Sequence, residues 1–417
     1  MKRQKELAPA VLKLSRHHSA FLRDLPDVAF YFFDKSVLRK IAAIVGGLSI
    51  CGQIPEIREV DNAIVTPPFA KAGRCTAGVF DSEHRLVVGG RSEFGHELDP
   101  ADLVLAPTDS RTAVYVGGVR WHYGHFLLET LPRLWPWWTI PDDFVALMPS
   151  HSHLRGIPRS ICTLLPNFDK RISFPRRPTR FRTVLIPEPA FAIRRKAYRE
   201  FKTFCDRIAA QVLSADVERT DQPLYLSRKG LGPSAGRAIV GEDRLEQFLE
   251  KEGFLVVQPE ILTIAEQITM FNRHKWIVSP MGSACHTRLF SRRPINLVTL
   301  TGEIMLTRFH NYLLCDSISD GTAHYANVLS VPDMGVGPNA VWQPVILMEV
   351  EFLDLLTSLG LIRPGSSPAG SRPDIEAYWQ RWAAMAEREA QRTKDKRLLD
   401  ILATGPIGAG AVASVWL

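Results

Sequence analysis

Asp243 to Pro280 has the sequence DRLEQFLEKEGFLVVQPEILTIAEQITMFNRHKWIVSP, in which helical and strand patterns alternate. Apolar residues recur at helical spacing over the first turns, and Gly253 ends that helix. The apolar run 254–257 predicts a strand, a capping box at Thr263 predicts the start of a second helix, and the run 276–278 predicts another strand. This order indicates a Rossmann-like α/β series with a parallel sheet.

The alternation extends outward on both sides of this stretch. Strands are predicted at 224–226 and at 295–298, which lengthens the series. Sheets of this kind bind ligands at the carboxyl ends of their strands. Ser227, Arg228 and the segment 279–283 lie where two of these strands end, so we expect them at the ligand-binding edge.

A second informative stretch, WHYGHFLLETLPRL from Trp121 to Leu134, places ionisable residues on a short apolar segment. On a helix, His125 and Glu129 are four residues apart and share a face, and His122 reaches the same side. A histidine beside a carboxylate forms a general base with an orienting partner. The pattern therefore indicates catalysis.

The residues alone leave other interpretations of this stretch open. His125 and Glu129 are also what a core histidine bonded to a nearby carboxylate would look like. With His122 they supply three ligands for a metal-dependent hydrolase, although the spacing differs from the H-E-x-x-H arrangement. Arg133 either pairs with Glu129 at i,i+4 or faces an anionic acceptor.

Composition is that of an ordinary globular protein with enough length for two domains. The chain has 417 residues, of which 46% are hydrophobic and 23% charged. A net charge of +7 suits anionic ligands, and no nucleic-acid motif accompanies it. Six cysteines without a C-x-x-C pair argue against a zinc site and against a disulfide framework. A reducing cytoplasm is the expected location.

Two N-terminal segments bear on membrane contact. The apolar run 41–51 is shorter than the roughly 20 residues that a membrane-spanning helix needs. Met1 to His18 is basic with interspersed leucines, which is typical either of a solvated helix or of peripheral contact with an anionic membrane. No secretory signal follows the charges. We therefore expect a cytoplasmic protein, with contact to the inner face of the membrane as the alternative.

The stretch from Trp121 to Leu134 resembles the first signature of glycosyltransferase family 61. A second block supports the resemblance, with YLSRKG at Tyr225 to Gly230 and GFLVVQPE ending at Glu260. The resemblance covers about 115–298, and further matching positions are Arg237, Glu242, Gln267 and Gly282. Gly241 and Met281 depart from the family pattern, which leaves the donor open.

The resemblance implies the GT-B architecture, in which two Rossmann-like domains face a cleft. The N-terminal domain of such enzymes holds the acceptor and the C-terminal domain holds the nucleotide sugar. Applied to this chain, it predicts an N-terminal extension with the start of the acceptor domain at 1–60, the acceptor domain at 61–213, the donor domain at 214–345 and a C-terminal helical extension at 346–417.

The resemblance also assigns roles to individual residues. His125 is the candidate base with Glu129 orienting it, although Glu129 itself is an alternative base. Arg228 and Arg237 are the candidates for the donor diphosphate, since the planar guanidinium suits phosphate. The list is completed by Glu260 for ribose hydroxyls, Gly282 and Ser283 for phosphate through backbone N–H groups, and His122 and Arg133 as acceptor-binding or supporting residues.

The sequence therefore predicts an inverting glycosyltransferase that uses neither a metal nor another cofactor. Its expected partners are a nucleotide-sugar donor and a glycan or lipid-linked glycan acceptor, in a bacterial capsule or another surface polysaccharide. Two alternatives stay open, the metal-dependent hydrolase at His122, His125 and Glu129, and a non-catalytic carbohydrate-binding protein of the same fold.

Overall fold

The computed structural model describes residues 28–67, 75–96, 103–141, 143–148, 154–214, 217–231, 238–331, 343–370, 375–394, 396 and 402–403. The chain divides into two compact units. The described residues of 1–47, 216–262 and 269–417 form the parallel-sheet unit, and those of 48–215 with 263–268 form the mixed-sheet unit. No helix among the described residues has both the length and the apolar character needed to cross a membrane.

The strands of the described residues are, in chain order, β1 (Val28–Tyr31), β2 (Ser49–Cys51), β3 (Ile57–Val65), β4 (Cys75–Phe80), β5 (Leu86–His96), β6 (Thr108–Tyr115), β7 (Val145–Leu147), β8 (Ile172–Ser173), β9 (Thr179–Pro187), β10 (Phe191–Ala192), β11 (Lys196–Tyr198), β12 (Leu224–Leu226), β13 (Leu255–Val257), β14 (Trp276–Pro280), β15 (Ile295–Thr301), β16 (Gly321–Asn327), β17 (Leu329–Ser330) and β18 (Ile346–Leu347).

The longer helices are α1 (Lys35–Gly46), α2 (Gly156–Cys162), α3 (Phe168–Arg171), α4 (Arg199–Ala210), α5 (Glu242–Lys251), α6 (Ile264–Arg273), α7 (Phe309–Ile318), α8 (Glu349–Ser358) and α9 (Ile375–Thr393). Short helical turns lie at Tyr123–His125, Phe126–Thr130, Leu131–Arg133, Trp135–Trp138, Lys229–Leu231, Pro259–Ile261, Ser283–Phe290 and Glu303–Arg308.

The parallel-sheet unit contains a six-stranded sheet of order β1-β16-β15-β14-β12-β13. Every neighbouring pair in it is parallel. The central strands carry continuous apolar runs and are buried, as expected for a sheet covered on both faces. Thr263 and Glu266 form the predicted capping box, with Thr263 N donating to Glu266 Oε2 at 2.7 Å. The Rossmann-like series predicted from the sequence is therefore confirmed.

The N-terminal segment belongs to this same unit. β1 pairs with β16 at the edge of the parallel sheet, from Val28 opposite Ala323 to Tyr31 opposite Ala326. Asp34 caps α1 by accepting hydrogen bonds from the first-turn amides. The sequence had assigned 1–60 to an extension and the start of the acceptor domain; the structure instead groups 28–47 with the parallel sheet, because β1 completes its edge.

The C-terminal part of the chain also packs into this unit. Phe352, Leu355 and Leu356 of α8 are buried in the core that contains Tyr225 and Val278. Further along, α9 buries an apolar stripe against Val240 and Ile346. Helices α8 and α9, which the sequence grouped into an extension at 346–417, therefore contribute side chains to two core clusters.

The mixed-sheet unit differs from the expected Rossmann-like domain. Its seven-stranded sheet has the order β5-β4-β3-β9-β6-β7-β8. The strands β5, β4, β3 and β9 pair antiparallel, whereas β9, β6, β7 and β8 pair parallel. A small sheet of β10, β11 and β2 completes the unit. Helix α4 begins at Arg199, directly after β11.

Candidate active site

The motif around His125 follows β6 in the mixed-sheet unit and forms a helical segment of changing pitch. A short α-turn, Tyr123–His125, leads into a π-helical turn, Phe126–Thr130, and a 3₁₀ turn, Leu131–Arg133. Leu131 N–H donates to Phe126 O, five residues earlier, which defines the π-turn. Phe126, Leu127 and Leu128 are buried and anchor the segment. Such π-turns occur frequently at functional sites.

His125 and Glu129 form a direct pair on this segment. His125 Nδ1 contacts Glu129 Oε1, as the i,i+4 spacing predicted. The side chain of His125 is 59% exposed and that of Glu129 is 17% exposed. The histidine therefore faces solvent while the carboxylate lies mostly inside. This arrangement orients the imidazole and leaves its Nε2 edge on the solvent side.

Arg120, which the sequence analysis did not single out, binds the second oxygen of the same carboxylate. Its Nε donates to Glu129 Oε2 at 3.0 Å. Buried Thr130 fixes the loop that carries Arg120, since its Oγ1 accepts from Arg120 N at 3.0 Å and donates to Gly118 O at 3.3 Å. The sequence signal for Arg120 was its position shortly after Gly117 and Gly118, which follow β6. Both oxygens of Glu129 are thus held by named side chains.

His122 and Arg133 lie beside this pair. The ring of His122 meets that of His125 edge to face, with centroids 5.5 Å apart. Arg133 donates from Nη1 to the carbonyl oxygen of Pro187 at 2.9 Å, which anchors its guanidinium to the end of β9. A cavity of about 290 Å³ opens here, lined by 116–118, 120, 128–129, 133, 189 and 191–193. Arg133 and Glu129 both line it.

In the parallel-sheet unit, Arg228 lies at the carboxyl end of a strand, as the strand pattern predicted. It follows β12, and its backbone N–H donates to Glu242 Oε1 at 3.0 Å. A Cβ atom at Gly282, just after β14, would lie 2.6 Å from Arg228 Nη1, so the guanidinium lies directly against the Gly282 backbone. Arg228 and Gly282 therefore meet at the carboxyl edge of the parallel sheet, with Ser283 next in the chain, half-buried at the start of a 3₁₀ turn.

Buried Glu242 supports the turn that carries Arg228. The hydroxyl of Tyr225 donates to the same Glu242 oxygen at 2.9 Å. Burial raises the pKa of the Glu242 carboxyl above its ordinary value, against the two hydrogen bonds, which lower it. Glu242 therefore bridges the start of α5 to the end of β12.

Glu260 lies in the turn Pro259–Ile261 that follows β13, close to Gly230. A Cβ atom at position 230 would lie 2.1 Å from Glu260 Oε1 and 2.5 Å from Gln258 Oε1. Two side-chain oxygen acceptors thus converge on one glycine. Glu260 Oε1 is buried and accepts no hydrogen bond from the described residues. Arg237, the second predicted diphosphate ligand, lies outside the described residues.

The three hydrolase candidates do not form a metal-ligand group. Within the described ranges, no set of three or more His, Cys, Asp and Glu side chains is arranged to hold a metal ion. His125 and Glu129 instead bond to each other. His286, inside the turn after Gly282, is buried against the ring of Tyr312 with centroids 4.6 Å apart, which places it in the interior of the unit.

Comparison with known proteins connects the two groups of residues. The family model described as Glycosyltransferase 61 matches residues 123–298. Over this segment the chain is similar to glycosyltransferase family 61. The family 61 segment includes His125, Glu129, Arg228, Glu260 and Gly282, and it supports glycosyl transfer as the chemistry of the protein. No curated protein matches the chain.

Proposed function

We propose that the protein is an inverting glycosyltransferase that moves a sugar from a nucleotide-sugar donor to a glycan or lipid-linked glycan acceptor. The observation that carries the proposal is the seating of the Arg228 guanidinium over Gly282, at the carboxyl ends of parallel strands, within a family 61 segment. Parallel α/β sheets bind nucleotide ligands at this edge.

Arg228 binds the donor phosphates in this proposal. A guanidinium forms paired hydrogen bonds with phosphate oxygens and stays charged as negative charge builds on the leaving group. Backbone N–H groups at Gly282 and Ser283 add donors, and Arg237 contributes a second positive charge. Glu260 Oε1, a buried acceptor without a hydrogen bond from the described residues, accepts a ribose hydroxyl. These groups supply the leaving-group stabilisation without a metal ion.

His125 acts as the base, and Glu129 orients it. Glu129 is the weaker candidate base because His125 and Arg120 contact its two oxygens. In the transfer, the acceptor hydroxyl oxygen attacks the anomeric carbon of the donor and gives its proton to His125 Nε2. The bond from that carbon to the donor phosphate oxygen breaks, and its electron pair leaves with the nucleotide. One displacement inverts the anomeric centre.

The broader assignment follows from these roles. The mixed-sheet unit is the acceptor domain and the parallel-sheet unit is the donor domain of a GT-B enzyme in this proposal. The product is a capsular or other surface polysaccharide assembled on the cytoplasmic side of a bacterial membrane. The basic segment from Met1 to His18, which lies outside the described residues, provides peripheral membrane contact.

Calorimetric titration of the full-length protein with UDP-, GDP-, CMP- and dTDP-sugars, in the presence of a chelator, tests the proposal. We expect one donor to bind and Arg228→Ala to weaken it at least tenfold. Arg292→Ala is the matched control, since Arg292 is an exposed arginine just before β15, at the opposite edge of the same sheet. Failure of every donor to bind, together with tight zinc retention, would favour the hydrolase instead.

A further inference from the structure

The cavity beside Glu129 is lined by more positive than negative side chains. Its ionisable lining residues are two arginines, Arg120 and Arg133, and one carboxylate, Glu129. Arg120 contacts Glu129 directly, and Arg133 donates from Nη1 to the carbonyl of Pro187, which fixes its guanidinium at the wall. The lining therefore has an excess of positive charge.

The backbone around the cavity makes room for Arg133. Gly117 has a φ of +84°, a conformation that residues with side chains rarely adopt, and a Cβ atom there would lie 3.4 Å from Arg133 Nε. The guanidinium thus packs directly against backbone at the end of β6. The hydrogen bond to the Pro187 carbonyl holds it there.

The rest of the wall is apolar. Leu128, Pro189, Phe191 and Ile193 lie on it, and Phe191 is almost fully buried. Apolar walls lower the local dielectric, which strengthens the attraction between a guanidinium and a bound anion. The volume of about 290 Å³ is at the lower end of ligand pockets, a size suited to a single sugar residue.

We propose that the acceptor sugar carries an anionic group, a carboxylate or a phosphate, which Arg133 binds in this cavity beside the His125–Glu129 pair. The inference rests on the proposed glycosyl transfer and names the class of its acceptor. Guanidinium groups form paired hydrogen bonds with both anions, so the shared chemistry is an oxyanion attached to a sugar ring. Arg120 and Glu129 then contact the sugar next to the base.

The test compares three sugars that share one ring, namely glucuronate, glucose 1-phosphate and glucose. NMR titration of the full-length protein yields the dissociation constant of each, without any transfer reaction. We expect at least one anionic sugar to bind ten or more times more tightly than glucose, with a preference that falls as salt is added. Tighter binding of glucuronate identifies a uronic acid acceptor, and tighter binding of the phosphate identifies a sugar phosphate.

Variants at Arg133 link the binding to the cavity. Arg133→Gln should lower the ratio of anionic-sugar affinity to glucose affinity at least tenfold, and Arg133→Lys should lower it less. Arg177→Gln should leave the ratio unchanged, since Arg177 is exposed and outside the lining. If Arg133→Gln fails to fold, the lysine variant and the salt dependence provide the test.

Equal binding of all three sugars, no binding of any, or an unchanged preference in the Arg133 variants would overturn the proposal. The donor titration with Arg228→Ala is a separate measurement. The acceptor class and the proposed function can therefore fail independently.

Discussion

Two different side chains contact the Glu129 carboxylate, one at each oxygen. His125 contacts Oε1, and Arg120 donates to Oε2 across the loop that Thr130 fixes. A carboxylate bound in this way cannot rotate freely, so it sets the orientation of the imidazole. In the proposed reaction, the exposed edge of His125 is the part of the pair that the acceptor meets.

Replacement of Arg120 tests whether this orientation matters for the reaction. We expect Arg120→Gln to lower kcat about 10- to 100-fold, because small displacements of a catalytic group carry costs of that size. The pH–rate profile should shift as well, since the charge beside Glu129 is lost, and Arg120→Lys should restore part of the rate. Steady-state kinetics on the best donor provides the measurement.

Arg111→Gln is the control for this substitution. Arg111 is an exposed arginine of the same unit that pairs with Asp109. Unchanged kcat and pH profile in Arg120→Gln would show that Arg120 is only a structural residue.

Gly230 gives a second prediction at the level of one residue. Gly230→Ala places a methyl group against Glu260 and Gln258 and so must move the two acceptor oxygens. Loss of one hydrogen bond of about 1.4 kcal/mol corresponds to a donor affinity about tenfold lower. Gly46→Ala makes the same change in open space and should leave the affinity unaltered. Equal donor affinities in the two variants would remove Glu260 from the donor site.

At the scale of single residues, the sequence predicted contacts that local spacing determines. His125 and Glu129 meet because four residues separate them on a helical segment. The contact of Arg120 with Glu129 does not follow from a regular sequence spacing. Two turns of different pitch and the Thr130 hydrogen bonds bring Arg120 to Glu129. The position of Arg228 was predictable because it follows β12, and the sequence pattern also predicts the parallel neighbours of that strand.

Among the elements, β12 and α5 are joined by one buried carboxylate. Glu242 accepts from both Tyr225 and Arg228, and it has almost no exposure. Removing it would leave a buried hydroxyl and a backbone N–H without their acceptor, which costs about 1–3 kcal/mol per group. The turn that carries Arg228 would lose its support.

We therefore expect Glu242→Ala to lower the free energy of unfolding by about 2–4 kcal/mol and to weaken donor binding. Asp243→Ala, one residue along the same helix, removes only an exposed ion pair with Lys229 and should change the stability by less than about 0.5 kcal/mol. Urea unfolding of both variants makes the comparison. Equal stabilities would show that Glu242 is not a structural bridge.

The two sheets differ in how much of them the sequence predicts. Alternating helix and strand patterns specify much of the parallel series, because β12 pairs with β13 and β14 pairs with β15, each one crossover away. The antiparallel pairing of β3 with β9 joins Ile57 to Pro187 and Val65 to Thr179, residues far apart in the chain. No local pattern encodes that partner, so the mixed sheet was not predictable.

The stability of the whole protein depends on a buried histidine of β16, His324, which lies opposite Ala29 of β1. His324 hydrogen bonds through Nδ1 to the hydroxyl of Tyr31 at 3.0 Å and stacks near Trp276. Burial, with a smaller effect from the charge of Arg288, lowers the pKa of His324 to about 4. In the unfolded chain the imidazole of His324 takes up a proton near pH 6.5, whereas in the folded chain it does so only near pH 4.

The stability contributed by neutral His324 is therefore complete above pH 6.5 and is lost as the pH falls toward 4, a change of about 3 kcal/mol. His324→Phe keeps an aromatic ring and removes the titration, so its unfolding free energy should decline less between pH 7 and pH 5. Asp316, whose pKa burial raises, titrates in both proteins and cancels from the comparison. Identical pH dependence in the two proteins would contradict the prediction.

The C-terminal helix is a structural part of the parallel-sheet unit. Trp382 is fully buried, stacks on Trp379 with centroids 5.2 Å apart, and packs in the cluster that includes Val240. Trp382→Ala should lower the free energy of unfolding by about 3–5 kcal/mol. Gln380→Ala, at an exposed position of the same helix, should cost less than about 0.5 kcal/mol. Similar melting temperatures for the two variants would show that α9 is dispensable.

Because β1 pairs with β16, it cannot form its native strand pairing until late in the synthesis of the chain. Tyr31 and its partner His324 are 293 residues apart, so at 5–20 residues per second the ribosome needs roughly 15 to 60 s to deliver the second after the first. Most of the mixed-sheet unit is synthesised in that interval. β1, the first strand of the described residues, thus stays without its native neighbour until β16 emerges, and its unpaired edge stays open to contacts with other chains during synthesis.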